Sequence, residues 1–280
     1  MRSPRTGLLT GHGSGGERRG KSRSVRAFHG AAARSDAPPR FPLSARAPGK
    51  QQKGGQNVGQ LALSATPEQF VARFVPAAST EDLFTLVANP AMSAVLEGTP
   101  VQEGHRIPVL TRTGRTPHVE AARWGLVPSW WRQSGVSPVR LPVTMSAVPR
   151  ERLTTSGWRL LLRRSRCTVP ASVLTLNIDP SRGRRAVQFM RRDGGMFAMA
   201  GIIDTWSEPA TGIRVRSCAI IMTPAIEAVA SLTDSMPVIL GDRDSESAWL
   251  DPELTDMRGI APYLRPRAWN DVTYWLVTEP

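Results

Sequence analysis

Two cysteines among 280 residues, Cys167 and Cys218, are too few for a disulfide framework, and neither has the C-x-x-C neighbour that metal or redox chemistry uses. Both sit in short β-like runs, 166–170 and 216–222, where cysteine serves as a small hydrophobe. Histidine is equally scarce. Of the four, His12 and His29 fall in the first sixty residues and His105 and His118 in expected loops. No metal-ligand spacing arises, so neither a metal nor a cofactor is expected. Long apolar runs are missing as well, because charges or prolines interrupt each one well before the roughly 18 residues that a membrane helix needs. Gly7-Leu8-Leu9 is too short for the apolar core of a secretory signal. The expectation is a soluble, cytoplasmic protein with no membrane partner.

Acids are nearly absent from the start of the chain. Between Met1 and Gly59, Glu17 and Asp36 stand against 12 Lys/Arg, so ten of the thirteen net positive charges lie there. Gly, Ser, Ala and Pro fill most of the remainder, and no apolar period of 2 or 3.6 runs through it. Such a segment buries too little surface to offset its ordering entropy, and residues 1–60 are expected to be a disordered basic tail. Three readings of it stand side by side: a basic arm for nucleic acid, an Arg-rich organelle-targeting segment, or upstream sequence translated from a wrongly chosen start codon. The folded domain is expected over 68–280, with a charge near +3.

Tryptophan, by contrast, is plentiful. Three of the eight fall in Arg123-Trp124-Gly125-Leu126-Val127-Pro128-Ser129-Trp130-Trp131, with Arg132 following. Trp124 continues the alternation Val119, Ala121, Arg123 and is expected in the core. The Trp130-Trp131 pair lies beyond the Pro128 turn and is expected to expose at least one ring face. Exposed indoles beside arginines form a platform on which bases stack while the cations hold phosphate. Strands are predicted over 72–76, 106–110, 118–125, 166–169, 186–191, 196–203, 215–222 and 238–240. Helices are predicted over 80–88, 154–164, 225–230, 244–250 and 252–263. Short strands among few helices, without βαβ regularity, point to an α+β domain on a curved, mainly antiparallel β-sheet or barrel.

Five motifs follow one another: Arg73-Phe74, Arg123-Trp124-Gly125-Leu126-Val127-Pro128-Ser129-Trp130, Arg163-Arg164-Ser165-Arg166-Cys167-Thr168-Val169-Pro170-Ala171, Phe197-Ala198-Met199-Ala200-Gly201-Ile202 with Trp206, and Met236-Pro237-Val238-Ile239-Leu240. In this order and spacing the chain resembles the SRAP family, the SOS-response-associated peptidases that process abasic sites in DNA. The resemblance implies one SRAP-like domain, monomeric and acting near the nucleoid on single-stranded DNA. It also implies a mechanism. An N-terminal Cys, within Met-Cys-Gly-Arg-Phe, uses its amine and thiolate to trap the sugar aldehyde, and an Asn, a Glu and a His position the substrate and move protons. The same pocket removes the initiator methionine by autoproteolysis.

This chain departs from the family at each of those places. With the opening motif laid on Phe70-Val71-Ala72-Arg73-Phe74, the Cys slot holds Val71, and Arg73 remains as a phosphate contact. The Asn slot falls on Ser146 and the family Arg two residues later on Val148. Leu176 takes the Glu slot, and Thr233 the His slot before Met236-Pro237. No catalytic residue is therefore assigned. The expected function is DNA binding without catalysis, a pseudoenzyme reading, with Arg73, Trp130, Trp131 and Arg132 on the DNA. The alternative is an active abasic-site enzyme with autopeptidase activity that forms a DNA–protein crosslink through a non-standard nucleophile. Cys167 is the thiol available for it.

Overall fold

The computed structural model describes residues 58–132, 144–178 and 185–278. The basic segment predicted to be disordered lies, up to residue 57, outside the described residues. Five strands close a barrel: β2 (Arg106–Thr113), β3 (Thr116–Trp124), β5 (Arg166–Ala171), β8 (Phe197–Ser207) and β9 (Arg214–Pro224). The ring runs β9-β3-β2-β5-β8 and returns to β9. All its pairs are antiparallel except β3 with β9, which makes the barrel mixed. Short strands extend it: β4 (Ala147–Pro149) lies parallel to β9, β10 (Ser235–Pro237) antiparallel to β9, and β11 (Ile239–Leu240) antiparallel to β8.

A second, four-stranded antiparallel sheet joins β1 (Val58–Ala62), β6 (Val173–Asn177), β7 (Arg185–Arg191) and β12 (Val272–Thr278) in the order β1-β6-β7-β12. Only Ser172 separates β5 from β6, so the chain passes from barrel to sheet at one residue. That corner is pinned from both sides, because Ser172 N–H donates to Ala62 O at 2.8 Å and Ser172 Oγ accepts from Ser64 N–H at 3.0 Å. Leu61, Leu174, Leu176 and Phe189 of the sheet share one core with Cys167, Ile202 and Ile220 of the barrel. Burial at roughly 25 cal/mol per Å² of apolar surface is what holds the two layers together.

Local signals start the helices. Thr66 and Gln69 form a reciprocal capping box on α1 (Pro67–Phe74), with Pro67 at the first turn. Ser79 and Asp82 do the same on α2 (Thr80–Val87), and Asn89 caps α3 (Pro90–Leu96). A 3₁₀ turn, Arg150–Thr154, leads into α4 (Ser156–Arg164). The segment 72–76, predicted as strand, is instead the end of α1 and its cap. The Thr66 box fixes the helix start, and Phe70 and Phe74, four residues apart, put their rings 5.2 Å from each other on the buried face. Elements β1, β4, β6, β10, β12, α1 and α3 are additions to the predicted set. Farther along come α5 (Glu227–Ala230), α6 (Arg243–Trp249), α7 (Met257–Ile260) and a 3₁₀ turn, Ala261–Leu264. Among the described residues no helix is long and apolar enough to cross a membrane.

Candidate functional site

Three tryptophans are fully buried, and each indole N–H is used. Trp124 donates to Ser146 O at 3.0 Å, Trp206 to Trp131 O at 2.8 Å, and Trp249 to Cys167 O at 2.9 Å. Trp124 is thus core, as expected, and it also fixes the Ser146 backbone. Ser146 is buried just ahead of β4, and its carbonyl accepts a second bond from Ile220 N–H at 3.0 Å. Thr233, half-buried in the turn between α5 and β10, donates its hydroxyl to Ser235 O at 3.1 Å. Among the described residues no histidine or carboxylate bonds to either hydroxyl.

Leu176 is buried on β6, paired with Val187 of β7 on one side and with Val58 of β1 on the other. The Val58–Leu176 pair sits at a bulge, since the register slips between Val58 and Gln60. Gly59 lies at that slip under the Asn177 carboxamide, where an added Cβ would come within 2.6 Å of Oδ1. Val71, which the sequence reading placed in the nucleophile slot, lies in α1. The sequence reading placed no candidate residue in β1, where Val58 pairs with Leu176.

Arg73, expected on a strand and facing phosphate, is in the last turn of α1 and its fork is occupied. Nη1 and Nη2 donate to Glu246 Oε2 and Oε1 at 2.8 and 2.5 Å, and the guanidinium carbon stands 4.4 Å from the Phe74 ring centroid. The two side chains are only 23% and 11% exposed, so the geometry is that of a bidentate internal clamp. Arg166, from the Arg-Cys motif, is likewise turned inward. It donates to the carbonyls of Trp249, Leu162 and Asp251 at 2.6 to 2.8 Å, and burial lowers its pKa.

Trp130 is the most exposed tryptophan of the motif, at 40%. Its ring meets Trp158 of α4 edge to face, with centroids 5.3 Å apart and planes at 86°. Trp131 is half-buried against Trp206 at 5.3 Å, and Arg132 is exposed. The expectation of at least one open face in this pair therefore holds at Trp130. The turn carrying them is tied down by Ser129 N–H donating to Asp204 Oδ2 at 2.6 Å.

Cys167 and Cys218 are both fully buried. Burial, reinforced by the neighbouring Cys218, pushes the Cys167 thiol well above its ordinary value, and burial pushes Cys218 to about 12. Near them Arg216 Nε donates to Glu120 Oε2 at 2.8 Å, while Thr111 Oγ1 donates to Oε1 at 2.5 Å. Among the described residues no three His, Cys, Asp or Glu side chains gather as a metal site.

A sequence model of the SOS response associated peptidase (SRAP) family matches residues 59–279. The chain is 27% identical over 184 residues to the abasic site processing protein YoqW of Bacillus subtilis (strain 168), covering 64% of this chain and 78% of that one. It is 23% identical over 181 residues to the abasic site processing protein YobE of the same organism, covering 64% and 80%. A solved protein structure from Bacteroides thetaiotaomicron superposes with a TM-score of 0.62 at 21% identity, covering 78% of this chain and 91% of that one. That likeness is one of fold.

Proposed function

Because the chain belongs to the SOS response associated peptidase (SRAP) family, we propose that it is a non-catalytic member that binds single-stranded or abasic-site DNA in the DNA-damage response. One observation carries the reading. Val58 stands opposite Leu176, the Glu slot, so two aliphatic side chains face each other where the family's chemistry needs a thiol and a carboxylate. In this reading the opening motif falls on Asn57-Val58-Gly59-Gln60-Leu61, and the Cys slot is Val58 rather than Val71. The family match, which begins at residue 59, supports that register.

Chemistry follows from the side chains. Trapping an aldehyde needs a free amine to form the imine and an adjacent thiolate to close the ring. Val58 offers an amide nitrogen, because Asn57 precedes it, and no sulfur. Ser146 and Thr233 fill the Asn and His slots with hydroxyls that do not titrate near neutrality, so no group shuttles a proton. Gln60 takes the Arg slot and removes a phosphate charge. The recognition surface then rests on Trp130, Trp131 and Arg132, with stacking worth roughly 1–3 kcal/mol per base.

The competing reading, an enzyme using Cys167, meets a thiol that is wholly buried with its pKa raised. A Cys167→Ser variant is expected to match the wild type in every DNA assay. The deciding experiment incubates the full chain with single-stranded DNA carrying one abasic site, beside undamaged DNA, on native and denaturing gels. A native shift that vanishes in SDS is expected. An SDS-resistant, heat-stable adduct would overturn the non-catalytic reading, and the absence of any shift would overturn DNA binding.

A further inference from the structure

The four-stranded sheet has two edges, and only one of them is covered. Along β1 the segment after α3 pairs with the outer side: Leu61 N–H donates to Val101 O at 2.9 Å, Val101 N–H donates back to Leu61 O at 2.8 Å, and Ser64 bridges to Glu97. The bulge at Gly59 interrupts that edge further. At the opposite side β12 pairs with β7 alone, over seven residues without a bulge. One bond fixes which way its backbone groups point. Arg192 N–H donates to Asp271 O at 2.8 Å, so in the alternation of an antiparallel ladder Thr273, Trp275 and Val277 bond to β7, while Tyr274 and Leu276 turn their N–H and C=O groups outward. Among the described residues no backbone group meets them there. Val272-Thr273-Tyr274-Trp275-Leu276-Val277-Thr278 holds no charge and no proline, so the strand lacks the devices that keep an edge from pairing with another chain. Its side chains are apolar on both faces. Tyr274 packs on the common core beside Phe189, Trp275 lies half-buried with Ala62, Val173 and Met190, and Leu276 is 41% exposed.

We propose that β12 is an interface for a second copy of this chain, which pairs antiparallel through the same strand and joins two four-stranded sheets into one of eight. The strand's own pattern selects a copy of itself. With the two-fold axis at Trp275, Tyr274 meets the partner's Leu276 and Val272 the partner's Thr278, so the outward groups of both strands fall in hydrogen-bonded pairs. Thr273 meets the partner's Val277, β-branched against β-branched, and no like charges face each other within the strand. Trp275 meets the partner's Trp275 at the closer, non-hydrogen-bonded spacing, where the two indoles join the Met190 clusters of both copies. Charge at the strand ends is complementary. Arg185, opposite Thr278 on β7, is exposed and pairs with no carboxylate among the described residues. Asp271, at the other end of β12, is 69% exposed and is approached by Arg191 only at 3.8 Å. The two-fold axis sets each Arg185 about two strand spacings, roughly 10 Å, from the partner's Asp271, a gap that the arginine side chain spans. Because β12 is consumed on both copies and each β1 edge is covered, association stops at two. Strand pairing alone buries less than the roughly 1,200–2,000 Å² of a standard interface, so a micromolar dimer in equilibrium with single chains is expected.

Sedimentation velocity of the full chain tests this from about 1 to 200 µM, the range that so small an interface implies. The weight-average mass is expected to rise from one chain toward two and no further. Leu276→Pro removes an outward N–H but no bond to β7, and it is expected to keep the mass of one chain throughout, with thermal melts confirming that it is folded. A second pair of variants reads proximity instead of affinity. Trp275→Cys sets two thiols across the axis at a Cα separation of about 4.5 Å, within disulfide range. Under diamide, which takes up the two thiol hydrogens, it is expected to give a covalent dimer on non-reducing gels, whereas Thr273→Cys, which faces the partner's Val277, is expected to give none. Cys167 and Cys218 are fully buried and stay out of this reaction. A wild type that remains one chain at every concentration or grows beyond two overturns the interface. So does a folded Leu276→Pro variant that associates like the wild type, or Thr273→Cys crosslinking as readily as Trp275→Cys.

Discussion

Val58 of β1 faces Leu176 of β6 across an antiparallel pair, one residue from a bulge at which Gly59 lies beneath the Asn177 carboxamide. That relationship makes the register testable. In a chain begun with Met in place of Asn57, the combined changes Val58→Cys, Ser146→Asn, Leu176→Glu and Thr233→His would supply, on the proposed register, the amine, thiol and proton-handling groups of the family's chemistry. An SDS-stable adduct with abasic single-stranded DNA is expected. The same three partner changes with Val71→Cys in the full chain should give none, and an adduct there would return the slot to α1.

Arg73 and Glu246 tie α1 to α6. Removing one member strands the other with little access to water, and charge-assisted bonds of this kind contribute about 2 kcal/mol. Both Arg73→Ala and Glu246→Gln are expected to lower the unfolding free energy by about that amount in urea titrations. Single-strand affinity of Arg73→Ala, measured under conditions where it is folded, should match the wild type. A marked loss would assign Arg73 to the DNA surface after all.

Acid should unfold the domain through its bonded carboxylates. Asp82 is buried, which raises its pKa, but bonds from Val119 N–H and from Ser79 more than reverse this and the net shift is downward. Glu120 follows the same pattern, with burial outweighed by Arg216 and Thr111, and Asp193 falls to about 2 beside Arg191. Groups with depressed folded pKa values add stability above the unfolded value of about 4, and it is lost as pH falls through the folded values. The urea midpoint should therefore be flat from pH 7 to 5 and drop steeply below 4. In Asp82→Asn the drop should be shallower.

Thr168 Oγ1 is buried without a hydrogen-bond partner among the described residues. An orphaned hydroxyl costs its desolvation, so the isosteric Thr168→Val is expected to raise stability by about 1 kcal/mol, read from the urea midpoint at unchanged slope. A destabilised variant would mean that the hydroxyl has a partner in solution.

The sequence by itself determined the pieces whose signals are local. Alternation along 118–124 marked β3 and sent Trp124 to the core, the Pro128 turn left Trp130 facing out, and the ordered motifs identified the family. Thr66-Pro67-Glu68-Gln69 also carried a helix start that the Arg73-Phe74 match obscured, since two matching residues weigh less than a capping box. Tertiary structure alone decided the rest. Val58–Ala62 is a short strand beside a Gly- and Gln-rich stretch, and what makes it a strand is a partner more than a hundred residues away in β6. Whether Arg73 meets solvent or Glu246, and whether Trp130 meets Trp158, depends on how elements pack across sequence separations that no local pattern spans. Pairing register and side-chain neighbours of that kind arise from burial and hydrogen-bond satisfaction over the whole fold, and no local pattern of residues encodes them.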